Sequence, residues 1–223
     1  MRSLSEKEAG LYFLYFKCVS LLKYNYENEL LRIKHEIEEK CKSGASVEYF
    51  EVIAAMSAIT GVIDALARTL KVSRKLSSLN QKGVEFKLYI ASQDWVIEAR
   101  NKVQHINDEI RNNNTSPVLG SLIWANGTSH YLLSLSSPFP GEKIPGLVID
   151  TYTGQTLMEL AYVYNERYLD IPRAFEGAME FSNYIKNACV TKDEHGNIQE
   201  LVDNYIFTKM DISLSGQISR PVG

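Results

Sequence analysis

Apolar positions recur every three or four residues over the first half of the chain, then give way to short apolar runs punctuated by turn residues. Leu11, Leu14, Tyr15, Cys18, Val19, Leu22, Tyr26, Leu30, Ile33 and Ile37 lie on the first pattern. They predict one long helix, opened by the capping-box pair Ser5 and Glu8 and running to about Glu39. Tyr12, Phe13, Tyr15 and Phe16 nearly encircle its first turns, so this end is expected to be covered on more than one side. Lys42 to Ser46 is a break, with Ser46 capping a second helix that reaches about Arg74. Its most apolar run, Val52 to Ala67, is interrupted by Ser57, Thr60, Gly61 and Asp64. That run is too short and too polar for a bilayer span of about 20 apolar residues, and reads as a buried core helix. After a polar turn, a third helix opens at Val84 or Glu85 and continues to Ile110.

Strand signals follow a loop at residues 111–117. Val118 to Ala125 and His130 to Leu135 flank Asn126-Gly127, the favoured pair for a tight hairpin turn. Leu147 to Tyr152 and Thr156 to Tyr164 flank Thr153-Gly154 and predict a second hairpin, with a short further strand at Arg167 to Asp170. Asp170 and Pro172 start a fourth helix whose buried side is Phe175, Ala178, Met179, Phe181, Ile185 and Ala188. The expected class is mainly α, with a small antiparallel β-hairpin insertion between the third and fourth long helices. The whole chain, 1–223, reads as a single domain. It comprises a helical core (4–112 and 170–190), the β insertion (117–169) and a short C-terminal tail (191–223). Aromatics in the strand region, among them Trp124, Tyr131, Tyr162 and Tyr164, are expected in the core.

Composition narrows the function more than the fold. A formal charge of −3 gives no global field for a polyanion, so RNA would need a local basic patch such as Lys71, Arg74, Lys75, Lys82 and Lys102. Cys18, Cys41 and Cys189 are too far apart for a zinc site, and the amino terminus carries acids where a signal peptide would be apolar. A soluble, cytoplasmic protein with no membrane partner is expected.

Chemistry concentrates in Trp95 to Ile110. On a helix turning about 100° per residue, Val96, Ala99, Val103, Ile106 and Ile110 form an apolar seam. Asp94, Glu98, Asn101, His105 and Asp108 fall on the far side, with Arg100 flanking the seam beside Gln104. The plain account is an amphipathic helix with a solvated polar face. The sharper one notes that Glu98, Asn101 and His105 follow one another at intervals of one turn, an arrangement in which a carboxylate could orient the histidine and raise its pKa.

The segment A-R-N-K-V-Q-H-I-N-D-E-I, with Arg100, Asn101, His105 and the acid Glu109, resembles the R-N-x-x-x-H signature of HEPN-like bacterial proteins. The resemblance implies a four-helix HEPN-like bundle, a homodimer with the site at its interface, and metal-independent endoribonuclease chemistry needing no cofactor. His105 would exchange a proton with the ribose 2′-hydroxyl or the leaving oxygen, Arg100 would hold the phosphate, and Asn101 would orient either. Lys102, Glu98 and Glu109 would contact substrate. Arg100 and His105 are about 140° apart on one helix, which two facing helices would reconcile. The alternatives are a non-catalytic dimerisation or binding module in which Arg100 and His105 are structural, with a protein partner at the β insertion, and a nucleotide-binding domain using the same pair.

Overall fold

The computed structural model describes residues 6–76, 79–104, 120–127, 129–134, 159–164 and 167–188. They form a mainly helical unit with one four-stranded antiparallel sheet placed, in chain order, before the last helix.

The first long helix forms as expected, but not as one regular rod. α1 (Glu6–Lys23) passes through a π-helical stretch (Tyr24–Leu30) into α2 (Leu31–Lys42) without leaving the helical region. Leu22, Tyr26 and Leu30 show why: two successive spacings of four drift off one face of an α-helix, whereas wider turns keep them aligned. Leu22, Leu30, Ile33 and Ile37 are all buried as a result. Tyr12, Tyr15 and Phe16 are buried by their own chain, while Phe13 and Leu14 are exposed.

α3 (Tyr49–Ser73) begins two residues later than the Ser46 cap predicted. The cap is Glu48, whose backbone N–H donates to Glu51 Oε2 at 2.8 Å, because a carboxylate three residues into the helix satisfies an amide that Ser46 is too far away to help. Its second half is the centre of the core, with Val62, Ile63, Ala65, Leu66 and Ala67 fully buried. By length and composition alone α3 is apolar enough to cross a membrane, contrary to the expectation from its polar interruptions, and 44% of its most apolar window is buried here.

The third helix is not continuous. α4 (Val84–Ser92) and α5 (Val96–Gln104) are separated by a turn at Gln93–Trp95. Trp95 has φ 61°, a left-handed conformation that a bulky L-residue adopts only under tertiary constraint. The constraint is visible. Its ring stacks on Tyr162 with centroids 6.1 Å apart, and Gln93 Nε2 donates to the Ala174 carbonyl at 2.7 Å. Val96 and Ala99 of the expected seam are buried and Val103 is half-buried; Ile106 and Ile110 lie outside the described residues.

The sheet runs β2-β1-β3-β4, with β1 (Ser121–Asn126), β2 (Ser129–Ser134), β3 (Leu160–Tyr164) and β4 (Arg167–Asp170). The first hairpin forms, shifted so that Asn126 pairs with Ser129 and Gly127, at φ 60°, opens the turn. Of the expected second hairpin, only Leu160 to Tyr164 appear as a strand, β3, whose Ala161 to Val163 pair with β1 on one edge and β4 on the other; Leu147 to Tyr152 and the turn at Thr153-Gly154 lie outside the described residues. Trp124, Tyr162 and Tyr164 are buried, as expected of core aromatics.

α6 (Ile171–Ala188) starts where Asp170 and Pro172 predicted, with Asp170 Oδ1 accepting the Arg173 amide at 3.1 Å. Ile171, Ala174, Ala178, Phe181, Ser182 and Ile185 are its buried positions among the described side chains. Phe175 and Met179 are half-buried, Phe175 stacking on Tyr26 at 4.2 Å. The tail at 191–223 lies outside the described residues.

Candidate functional site

The site grows from the crossing of α3 and α5. Asp64 projects from the exposed side of the core helix, and α5 lays Arg100 against it. Arg100 Nε donates to Asp64 Oδ1 at 3.0 Å, and Arg68, one turn along α3, donates from its Nε to Oδ2 at 2.5 Å. The Gln104 amide is 3.4 Å from Oδ1. Both side chains of the interhelical pair are only about one-fifth exposed, at 20% for Arg100 and 21% for Asp64. One carboxylate thus holds two guanidiniums, one from its own helix and one from across the crossing.

Beside this pair is a cavity of about 360 Å³ lined by Ser57, Thr60, Gly61, Asp64, Arg100 and Val103. Gly61 lets the π-helical stretch close in: a Cβ there would lie 2.9 Å from the Asn25 amide nitrogen. Cys18 lies within electrostatic reach of both Asp64 and Arg68. Burial pushes its thiol up from the ordinary value of 9.0, Arg68 opposes this and Asp64 adds to it. A buried thiol held in its neutral form is a packing group, not a nucleophile.

The other expected site residues disperse. Asn101 and Glu98 are exposed on α5. Lys102 turns the opposite way from Arg100 and places its ammonium 5.3 Å from the Tyr164 ring centroid in β3. His105 and Glu109 lie outside the described residues. The structure therefore brings Arg100 to Asp64, Arg68 and Gln104 but does not bring Lys102, Glu98 or Asn101 to it. Among the described residues, no group of three or more His, Cys, Asp or Glu side chains could hold a metal ion.

Asp64 and Arg68 were missed as site residues. The signal was present: an acid inside a run of core residues must be paired or hydrogen-bonded if its surroundings bury it. Compared with known proteins, the chain matches no family model, no curated protein and no solved structure.

Proposed function

We propose that this chain is a cytoplasmic, HEPN-like dimerisation module in which Arg100 is a structural clamp. The observation that carries this reading is the part-buried Arg100–Asp64 pair. A guanidinium already neutralised by a carboxylate must give up that pair before it can hold a phosphate, and doing so would leave Asp64 facing the incoming anion. The scatter of Lys102, Glu98 and Asn101 away from Arg100 supports the same reading.

A second reading keeps the metal-independent endoribonuclease, with Arg100, Asn101 and His105 as its catalytic residues and RNA as substrate. It is favoured by the cavity beside Arg100 and by Arg68, since two guanidiniums against one carboxylate leave a net positive charge. RNA incubated in EDTA with the wild type, His105→Ala and Arg100→Ala separates the two. The module reading expects no cleavage by the wild type above a buffer control. Metal-free cleavage lost in both variants, with 2′,3′-cyclic phosphate ends, would hand the site to the nuclease.

A further inference from the structure

β4 is an outer strand of the sheet and pairs with β3 on one side only. In an antiparallel pair, alternate residues turn both backbone groups toward the partner strand, so the rest of β4 turns its N–H and C=O outward. Among the described residues, no other backbone group bonds to Arg167–Asp170 from that side. A row of outward donors and acceptors at strand spacing is complementary to another extended backbone.

A cavity of about 390 Å³ runs along this edge. All four residues of β4 line it, although successive side chains of a strand point to opposite faces of the sheet. No described residue of β3 lines it. A space that meets both faces of β4 and none of β3 lies beside the strand on its open side, not above or below the sheet. Its volume falls within the range of ligand clefts, about 300–1,000 Å³.

The facing wall is the joint between α4 and α5, through Ala91, Ser92, Asp94 and Trp95. Trp95, held in its left-handed conformation by the stack on Tyr162, fixes that wall in place. Charges of both signs surround the space: Arg167 and Arg173 against Asp94 and Asp170, the last also capping α6. Arg167, Arg173 and Asp94 form no ion pair among the described residues. So balanced a set exerts no pull on a polyanion such as RNA, whereas a peptide can answer both signs. β4 is short and charged at both ends, which guards a bare edge against indiscriminate pairing. Selectivity then falls to the second wall.

We propose that the β4 edge receives an extended peptide segment of a partner protein, which adds a fifth strand between β4 and the α4–α5 joint. Backbone hydrogen bonds to β4 supply the affinity, and Asp94, Arg167 and Arg173 select charged side chains of the segment. This goes beyond the module reading and depends on neither a dimer nor RNA cleavage.

Selection of an mRNA-displayed library of random eight-residue peptides against the full chain tests it. Selected peptides should bind about 10-fold more weakly to Ala91→Tyr, which fills the groove from an exposed helical position, with the helical circular dichroism unchanged. N-methylation of the best peptide, one residue at a time, should weaken binding about 10-fold at alternate residues and little at those between. That period of two is particular to strand pairing. Amide exchange followed by NMR should find the outward amides of β4 open in the free protein and protected once the peptide is bound. The inference is overturned if no peptide distinguishes the wild type from Ala91→Tyr, or if N-methylation acts without alternation. β4 amides that are all protected before peptide is added would show an edge already covered, and overturn it too. Single-stranded RNA that displaces the peptide would give the surface to nucleic acid instead.

Discussion

The indole of Trp124 in β1 donates to Glu38 Oε1 in α2 at 2.9 Å, across 86 residues of sequence. The same carboxylate takes Lys34 Nζ at 2.8 Å on Oε1 and Asn126 Nδ2 at 2.5 Å on Oε2. Glu38 is 2% exposed, so the helical layer and the sheet are joined by a buried anion with its hydrogen bonds satisfied.

Removing that anion strands its partners. Glu38→Ala is expected to lower unfolding free energy by about 3 kcal/mol, because the buried Trp124 indole loses its acceptor inside the protein and Lys34 and Asn126 lose theirs at its edge. Glu38→Gln keeps one acceptor and should lose about half as much. Urea unfolding at neutral pH checks both, and equal losses in the two variants would rule out the acceptor argument.

The same group sets an acid limit. Burial alone would raise the Glu38 pKa, but the bonds from Lys34, Asn126 and Trp124 outweigh it and hold the carboxyl below its ordinary 4.5. A depressed folded pKa contributes stability that is complete above the unfolded value and is lost as pH falls through the folded one. Wild-type stability should therefore fall more steeply than that of Glu38→Gln once pH drops below about 4.5. Parallel pH profiles would contradict this.

Arg100 and Asp64 should behave as one unit. In a cycle of Arg100→Ala, Asp64→Ala and the double variant, a coupling of about 1 kcal/mol in thermal unfolding is expected for a pair this far from water. Strict additivity would mean the crossing of α3 and α5 does not depend on the pair.

Trp95 reverses the usual ranking of small residues. Both Trp95→Ala and Trp95→Gly lose the stacking on Tyr162, a cost of about 3 kcal/mol. Glycine alone accepts φ 61° without strain, so Trp95→Gly should be more stable than Trp95→Ala by about 1 kcal/mol. Alanine proving the better substitute would show that the turn relaxes once the ring is gone.

Gly177→Ala places a methyl against Ser92 and should cost about 2 kcal/mol, despite the better helix propensity of alanine. Ser92→Gly in the same chain should recover most of the loss. Thermal midpoints of the wild type and the two variants decide it.

Sequence pattern revealed elements better than their joints. The apolar run of α3, the Asn126-Gly127 turn and the Asp170 cap are local signals, and each appears in the structure within a few residues. The break at Gln93–Trp95 carries no proline or glycine, and its causes, Tyr162 and Ala174, lie at least 67 residues away. Strand order was hidden for a similar reason, since β3 is claimed by β1 and β4 through contacts that a hairpin pattern cannot express. Of the candidate site, Arg100 was legible as a motif residue, whereas Asp64 registered only as an interruption in an apolar run.

The π-helical stretch at Tyr24–Leu30 acts as a phase setter between two halves of one rod. Its wide turns decide at what angle α2 leaves α1, and hence whether Glu38 meets Trp124 or points elsewhere. A chain shortened by one residue at Asn28 would carry every side chain of α2 round by roughly a quarter turn. The sheet would lose its anchor through a change no closer to it in sequence than ten residues before Glu38.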